Sequence, residues 1–410
     1  MRVSIENGRV IDPANSVNDI LNVYINNGKI VGVQNKLENF ESDVTIDAKG
    51  AIVCPGFIEL GAEFGALIAD ESKFRAELFA AAAGGFTTVC VSPTTNCYID
   101  NIEMVEKIIS QSGDNEGAHV ICIGALTTKL KGEALTEMYG LKTAGCSGFS
   151  NGRIPIVDSC ILKNAFLYAS TLELPIFISP KDHWLSRQGV MRDGAPSVSA
   201  GLPGISRSCE LIGLSRELTL LNEADGRGHV KNLSTGDSTS LIKDFNNENF
   251  TSDVSIYHLC LNDSLVNPFD SNFNFDPPLP SISDQERLIR QLESGEISSL
   301  SSAHTPLKIE EKATTFENSK PGSSGFDTFA GLMCSLVETN KVSIENAIAA
   351  ITEKPAIILG EPEKGTLSCG TSADICVFDP SLLWKVSSEK IISNGKNTPF
   401  LNKQLRGKVI

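Results

Sequence analysis

From about residue 51, short apolar runs alternate with longer segments of helical periodicity, and this alternation constrains the fold more than any other feature. Eight apolar runs occur, at 51–60, 86–92, 119–125, 145–150, 174–179, 228–233, 253–261 and 297–302. Helical segments lie between several of them, at 73–83, 102–110, 208–222 and 282–294, and another follows at 343–352. Eight β runs with intervening helices predict an α/β fold, a (β/α)8 barrel of the TIM type.

The two ends of the chain have a different, β-rich pattern. Near the N-terminus, Asn7-Gly8 and Asn27-Gly28 each stand between alternating apolar segments, which is a strong signal for a hairpin turn. Short apolar strands return after about residue 361. The sequence therefore predicts a small composite β domain from residues 1–50 plus 362–410, and a barrel domain over residues 51–361.

Composition excludes several classes of partner and location. The 410 residues carry a formal net charge of −15, so no basic surplus exists to bind a nucleic-acid backbone. We find neither a signal peptide nor an apolar stretch of about 18 residues, and we expect no membrane association and a cytoplasmic location. The eleven cysteines occur singly without a CxxC pair, which is typical of reduced thiols in a cytoplasm.

Several short motifs, in order along the chain, resemble the dihydroorotase branch of the amidohydrolase superfamily. They are NGRVIDP at 7–13, PGFIEL at 55–60, AAAGGFTTV at 81–89, GLPGI at 201–205, LST at 233–235, DPPL at 276–279, GKNTPF at 395–400 and LRG at 405–407. The resemblance covers essentially the whole chain. It implies the same barrel with a flanking β domain.

The resemblance also implies a chemistry. Active members of this family hold one or two Zn²⁺ ions at the carboxyl ends of the barrel strands. The metal activates a water molecule that opens the cyclic amide of dihydroorotate, and an aspartate on the last strand transfers the proton. Such a site needs neutral imidazoles and carboxylates as zinc ligands.

At the positions that match these functional residues, the chain has other side chains. The family's Asp-x-His-x-His pattern reads Glu59, Gly61 and Glu63, and the arginine and asparagine that bind substrate are replaced by Gly65 and Thr94. The bridging carboxylate, two further histidines and the catalytic aspartate are replaced by Asn151, Ser179, Asn232 and Ala303, whereas a substrate-contacting histidine remains as His304. We call the following nine positions the vestigial pocket: Glu59, Gly61, Glu63, Thr94, Asn151, Ser179, Asn232, Ala303 and His304.

Because the replacements fall on successive strand ends inside matching segments, they predict a pseudoenzyme with no catalytic residue, no metal and no cofactor. In some bacteria the family includes a catalytically inactive dihydroorotase-like chain that binds the catalytic chain of aspartate carbamoyltransferase. The sequence is similar to that inactive class. The resemblance implies a structural subunit for this partner in pyrimidine biosynthesis, within a homo- or hetero-oligomer.

Two alternatives stay open on sequence alone. The first is an active dihydroorotase or related cyclic-amide hydrolase with a divergent metal site, in which Glu59 and Glu63 would bind a hard cation such as Mg²⁺. The second is a small-molecule sensor that uses the emptied pocket with His304. We expect His229 and His258 to make structural hydrogen bonds, and we find no Ser–His–acid arrangement around Ser179.

Overall fold

The computed structural model describes residues 1–113 and 117–410. Its strands are β1 (Arg2–Asp12), β2 (Val17–Asn26), β3 (Lys29–Gln34), β4 (Val44–Asp47), β5 (Ile52–Pro55), β6 (Phe57–Ala62), β7 (Phe86–Val91), β8 (His119–Ala125), β9 (Cys146–Ser150), β10 (Ile176–Ile178), β11 (Met191–Arg192), β12 (Gly204–Ile205), β13 (Gly228–Val230), β14 (Phe250–Ser255), β15 (Ser299–Ser301), β16 (Ile375–Lys385) and β17 (Gln404–Val409). Its helices are α1 (Glu71–Ala83), α2 (Ile102–Ser112), α3 (Met138–Thr143), α4 (Ser159–Ser170), α5 (Ala195–Ala200), α6 (Ser208–Glu223), α7 (Asp237–Asp244), α8 (Ile256–Cys260), α9 (Ile282–Glu293), α10 (Ile309–Lys312), α11 (Phe326–Glu338), α12 (Ile344–Ala349) and α13 (Glu353–Leu359).

The middle of the chain forms the predicted barrel. Its eight strands follow the order β6-β7-β8-β9-β10-β13-β14-β15, and neighbouring strands run parallel. Each of the eight apolar runs contributes one barrel strand. In the described part of the chain, no helix combines the length and the hydrophobicity that a membrane crossing demands.

The boundaries of two runs differ from the prediction. The run 51–60 contains two strands, because β5 turns away at Gly56 and joins the sheet formed by the chain termini. The run 253–261 is a strand only as far as Ser255, whose hydroxyl accepts a hydrogen bond from the Tyr257 N–H and begins helix α8. A serine at this position competes with strand hydrogen bonding and caps a helix instead.

The terminal sheet has the order β17-β16-β5-β1-β2-β3, with β4 paired to β1. The hairpin at Asn27-Gly28 is confirmed, since both residues have positive φ and join β2 to β3. The hairpin at Asn7-Gly8 is wrong, because β1 continues through it with a bulge. A Cβ on Gly8 would lie 2.6 Å from Val53 Cγ2, so this glycine serves the close approach of β5 to β1.

The barrel does not close by direct pairing of its first and last strands along their whole length. At the amino end, the segment between α12 and α13 lies between them. The Ile58 N–H donates to the Ile351 carbonyl at 2.8 Å, and the Leu300 N–H donates to the Ala350 carbonyl at 2.9 Å. At the carboxyl end, the Glu59 side chain joins the two strands. A backbone hydrogen bond from the Glu63 N–H to the His304 carbonyl, at 2.9 Å, also joins the two chain segments at this end.

An aromatic cluster joins the barrel to the terminal sheet. Phe57 is fully buried, and its ring centroid lies 5.6 Å from Phe86, 5.7 Å from Phe329 and 6.2 Å from Phe378. Phe378 belongs to β16 of the terminal sheet, whereas Phe86 belongs to β7 of the barrel. Phe57 therefore packs between the two parts of the fold.

We expect Phe57→Ala to lower the free energy of unfolding by about 3–5 kcal/mol, because it removes a buried ring and leaves a cavity. The matched control is Phe79→Ala on α1, where the ring is exposed and the change should stay within about 0.5 kcal/mol. Urea unfolding of both variants measures the difference. Equal effects would contradict the assigned packing.

Candidate functional site

The carboxyl ends of the eight strands form one open end of the barrel, which is where TIM-barrel proteins place their active sites. Glu59 lies there, almost fully buried on β6. Its carboxylate accepts hydrogen bonds from the Gly61 N–H at 3.0 Å, from the Ser302 N–H at 2.8 Å and from the Ser302 hydroxyl. Burial raises the pKa of Glu59. Through its hydrogen bonds to Ser302, the Glu59 carboxylate joins the first barrel strand to the end of the last one.

The centre of the open end is filled by Lys231, which follows β13. Its side chain is 5% exposed, and its ammonium lies 3.2 Å from Ser92 Oγ and 3.5 Å from the Gly61 carbonyl. A Cβ added to Gly61 would overlap Nζ and Cε of this lysine. The space where the family pattern has a histidine side chain is thus occupied by a cation.

Glu63 takes part in a network that crosses the barrel mouth. Its carboxylate pairs with Arg153 Nε at 2.6 Å, and Arg153 Nη1 also donates to the Asp276 carbonyl. Lys181 Nζ lies 2.9 Å from the Asp276 carboxylate. Burial alone would raise the pKa of Asp276, but the charges of Lys181 and Arg153 lower it overall. Glu63 therefore serves as a counter-ion for a buried guanidinium.

The amide of Asn151 is directed into a neighbouring loop. Its Oδ1 accepts from the Thr127 hydroxyl at 2.7 Å, and its Nδ2 donates to the carbonyls of Ile154 at 2.8 Å and Leu130 at 3.3 Å. The side chain is fully engaged in holding this loop. It cannot act as a bridging ligand in this arrangement.

Asn232 and Ala303 both have left-handed backbone, with φ of 53° and 47°. The Asn232 amide oxygen accepts from the Ser301 hydroxyl at 3.1 Å, and its N–H donates to the Asp253 carboxylate at 2.5 Å. Ala303 has no group that could accept a proton. Both residues thus have a left-handed backbone, which is sparsely populated for residues other than glycine. Neither side chain is a carboxylate or an imidazole.

His304 belongs to the vestigial pocket by its position in the sequence, but its side chain does not line the cavity at the barrel mouth. Its ring is fully buried and stacks on Phe326 with centroids 3.7 Å apart. Nδ1 accepts from the Gly325 N–H at 3.1 Å, so the other nitrogen carries the proton and donates to Glu77 at 3.0 Å. Burial alone would raise the pKa of Glu77, but the hydrogen bonds that its carboxylate accepts from His304 and from the Asn394 N–H lower it overall. The pair anchors the last strand to α1.

Thr94 lines a second cleft beside the barrel mouth. This cleft encloses about 1110 Å³, including solvent at its opening, and Glu63 and Gly65 also line it. The Thr94 hydroxyl is buried and has no hydrogen-bond partner within the described residues. Gly65 and Thr94, which match the family's substrate-binding arginine and asparagine, thus line a different cavity from Lys231.

The other barrel histidines make structural contacts. His229 is fully buried between the Thr251 hydroxyl at 2.9 Å and the Asp253 carboxylate at 3.0 Å. His258 contacts the Ser255 hydroxyl and the Pro277 carbonyl, both at 3.1 Å. Burial lowers the pKa of His258 to about 4, so the ring is neutral at pH 7. Neither imidazole has a free nitrogen for a metal.

A pocket of about 610 Å³, including solvent at its opening, occupies the barrel mouth. Five cationic side chains line it, and only two carboxylates do so. They are Arg153, Lys181, Arg192, Arg207 and Lys231, with Glu210 and Asp276. Ser179 and Asn232 also line this pocket. The structure therefore brings together only part of the vestigial pocket, within a cationic wall.

These residues do not fit a zinc ion. Across residues 1–113 and 117–410, no group of three or more His, Cys, Asp or Glu side chains could hold a metal ion. Lys231 places a positive charge between the strand ends, and a like charge at close range opposes a dication. Glu59 and Glu63 each already have partners.

Sequence reasoning missed the cations that shape the site, above all Lys231, Arg153 and Arg192. A signal for Lys231 was present, because it is a lysine directly after a buried strand and next to a metal-ligand position. A lysine side chain is almost never fully buried unless a partner compensates its charge. Arg153 lies on a loop and Arg192 on the two-residue strand β11 outside the barrel, and nothing in their spacing relates them to the barrel strands.

Comparison with known proteins places the chain in a family. A family model described as dihydro-orotase-like matches residues 50–238. A dihydroorotase-like protein of Pseudomonas putida is 32% identical over 412 residues, covering 100% of this chain and 97% of the relative. The chain belongs to the dihydroorotase-like family of amidohydrolases. A protein of Geobacter sp. (strain M21) named dihydroorotase is also 32% identical, with the same coverage.

Solved structures support the fold of this dihydroorotase-like chain. The L-hydantoinase (dihydropyrimidinase) from Arthrobacter aurescens superposes with a TM-score of 0.85 over 100% of this chain and 93% of that chain. Its sequence identity of 22% restricts the likeness to architecture. The barrel with a terminal β domain is therefore the family's fold.

We expect the clash between residue 61 and Lys231 to appear as energetic coupling. Gly61→Ala should lower the free energy of unfolding by about 1–3 kcal/mol, because its methyl group overlaps the ammonium. In a Lys231→Ala background the same change should cost much less. A double-mutant cycle by urea unfolding measures this coupling.

Gly32→Ala on β3 is the matched control, since its Cβ would meet nothing closer than 3.5 Å. Its effect should be the same with and without Lys231. Additive effects of Gly61→Ala and Lys231→Ala would show that the lysine does not occupy this space.

One buried carboxyl in the dihydroorotase-like chain has no partner. Glu217 on α6 lines a small cavity with Asn151 and Ser179, and its Oε2 makes no hydrogen bond within the described residues. Burial raises the pKa of Glu217 from 4.5 to about 7, with the charge of Arg216 opposing the shift. The folded state therefore favours the protonated form.

Because the folded pKa of Glu217 lies above its ordinary value, stability from this group should be complete below pH 4.5 and lost as pH rises through 7. Glu217→Gln should raise the free energy of unfolding at pH 8 by about 3 kcal/mol and change it little at pH 4.5. Glu223→Gln, on the exposed end of the same helix, is the control. Unfolding curves between pH 4.5 and pH 8 test this, and a pH-independent difference would contradict it.

Proposed function

We propose that the chain is a catalytically inactive dihydroorotase-like protein that acts as a structural subunit of aspartate carbamoyltransferase in the cytoplasm. The observation that carries the first part is Lys231, whose ammonium fills the space beside Gly61 at the centre of the barrel mouth. A site built around a cation does not recruit Zn²⁺. Without zinc, no water is activated for attack on a cyclic amide.

The proton-transfer step lacks its residue as well. Ala303 stands where the family has its catalytic aspartate, and His304 beside it is committed to Glu77 and two backbone N–H groups. The buried acid Glu59 is held by Ser302 and Gly61. Two parts of the reaction, the activation of water by a metal and the transfer of the proton, therefore have no residue to perform them.

A protein partner is supported by the loops around the barrel mouth. Phe269 is 96% exposed, Val198 is 78% exposed, Ile309 is 72% exposed and Trp184 is 64% exposed. They lie on the loops and short helices that follow β10, β14 and β15, at the same end of the barrel. Exposed large apolar side chains in one region are typical of contact surfaces. The resemblance to inactive chains supports aspartate carbamoyltransferase as the proposed partner.

An active dihydroorotase with a divergent metal site is the second candidate. It is favoured by the Geobacter sp. (strain M21) relative, which is named dihydroorotase and is 32% identical. For this candidate, Lys231 would have to leave the mouth and Glu59 would have to release the last strand. The first change breaks the contacts of Lys231 with Gly61 and Ser92, and the second breaks a contact that completes the barrel.

We expect the purified chain, incubated with Zn²⁺ and then dialysed, to retain less than stoichiometric zinc and to show no turnover of dihydroorotate above the uncatalysed rate. The physical reason is the ammonium in the mouth and the absence of ligands. Elemental analysis and absorbance assays measure the two quantities. Stoichiometric zinc with turnover would establish the second candidate instead.

Association is tested by co-purifying the chain with the catalytic chain of aspartate carbamoyltransferase from the same genome. We expect a complex at micromolar concentration that gel filtration resolves. The double variant Trp184→Ala and Phe269→Ala should weaken it, whereas Phe79→Ala on the outer helix α1 should not. Two chains that never associate would overturn the partner part of the proposal and leave the inactive-site part standing.

A further inference from the structure

The barrel-mouth pocket has a wall whose charge is opposite to that of the molecule. The chain carries a formal net charge of −15, yet five cations and two carboxylates line this pocket. Three of the cations form ion pairs with carboxylates elsewhere in the chain. Arg153 pairs with Glu63, Arg192 with Asp284 and Arg207 with Asp237. None of these three carboxylates lines the pocket. The positive ends face the cavity.

Two of these cations are more than nine-tenths buried and have donors to spare. Arg192 is 6% exposed, and within the described chain its guanidinium makes one hydrogen bond, from Nη2 to Asp284 at 2.6 Å. Lys231 is 5% exposed, and its contacts of 3.2 Å and 3.5 Å are long for an ammonium. A guanidinium has five N–H donors and an ammonium has three. No side-chain nitrogen of Arg192 or Lys231 is both buried and unpartnered within the described residues, and both residues line the pocket, so their unused donors are open to a ligand there. A charged oxygen is the strongest acceptor for such donors.

The two carboxylates of the wall do not fill this role. Glu210 accepts hydrogen bonds from the N–H groups of Ser234 and Thr235 and from the hydroxyls of Ser234 and Ser238. Asp276 is paired with Lys181. Neither acid contacts Lys231 or Arg192 by a hydrogen bond in the described chain. The free donors remain directed at the cavity.

We propose that this pocket binds a small oxyanion, a carboxylate or phosphate group, held by Lys231 and Arg192 with Lys181 and Arg207 at its opening. The chemistry follows from the donors, because guanidinium and ammonium groups form their strongest hydrogen bonds with charged oxygens. The site differs from the positions that match the family's substrate contacts, since Gly65 and Thr94 line the separate cleft. Of the positions that match the family's metal ligands, Ser179 and Asn232 line this pocket.

The first test measures thermal unfolding of the full chain with sodium phosphate, sodium succinate or sodium acetate, each against sodium chloride at equal ionic strength. We expect the midpoint to rise with the concentration of phosphate or of the carboxylates, and not with neutral succinamide. A response to phosphate alone assigns a phosphate group, and a response to succinate or acetate alone assigns a carboxylate. No response beyond that of chloride would overturn the proposal.

A matched pair of variants locates the binding. Ser179 lines the pocket, so Ser179→Asp places a tethered carboxylate in it, and Ser179→Asn adds a similar volume without charge. Titration calorimetry with the responding anion should show binding weakened by about tenfold or more in Ser179→Asp and little changed in Ser179→Asn. Equal binding by Ser179→Asp and the unchanged chain would place the anion elsewhere and contradict the proposal.

Lys231→Met provides an independent check, with a tenfold or greater loss of affinity expected, and the Ser179 pair decides the question if this variant does not fold. The inference does not depend on the subunit role. A chain that binds the anion but not aspartate carbamoyltransferase would leave it intact, whereas failure to bind any oxyanion would leave the subunit proposal untouched.

Discussion

The buried ammonium of Lys231 is the interaction on which the chemistry of this barrel depends. It lies beside Gly61 on β6 and Ser92 directly after β7, on the opposite side of the ring. Its positive charge also acts on the Glu59 carboxylate. A glycine at position 61 leaves room for it, because a Cβ there would overlap Nζ and would displace this end of the lysine side chain. Gly61 has no side chain that could bind a metal, and it leaves space for the Lys231 ammonium, whose charge repels a metal ion. The two positions are best understood as one unit.

The remaining carboxylates of the site have become structural. Glu59 joins the first and last strands through Ser302, Glu63 neutralises Arg153, and Asp253 holds His229. Buried acids need such partners, since an uncompensated charge in the interior is expensive. These carboxylates therefore form a hydrogen-bond network that joins the strand ends.

Much of the fold could be predicted from the sequence, and the failures have physical reasons. Eight apolar runs predicted eight parallel strands, since burial on both faces makes such strands continuously hydrophobic. The insertion of Ala350 and Ile351 at the amino end of the barrel could not be predicted, because backbone hydrogen bonds leave no mark in side-chain pattern. The bulge at Asn7-Gly8 was mistaken for a turn, since both structures favour the same two residue types.

The site was less accessible to sequence reasoning than the fold. Matching to family positions identifies which ligands are replaced, but it says nothing about what fills the space. Asn151 and His304 both match functional positions, yet their side chains have structural contacts. The Asn151 amide hydrogen-bonds to a neighbouring loop, and the His304 ring hydrogen-bonds to Glu77 on α1. Lys231, Arg192 and Lys181 match no motif position, yet they determine the charge of the pocket. Their convergence is a property of three-dimensional packing.

The central claim is that the Lys231 ammonium fills the space beside Gly61, a position that matches a metal ligand in the family's motif. The most direct measurement is a crystal structure of the chain grown with millimolar Zn²⁺, with diffraction data collected at the zinc absorption edge. The account predicts density for the Lys231 side chain between Gly61 and Ser92, and no anomalous peak within about 3 Å of Glu59, Glu63 or Asn232. An anomalous peak at the strand ends, with Lys231 turned out of the mouth, would contradict it.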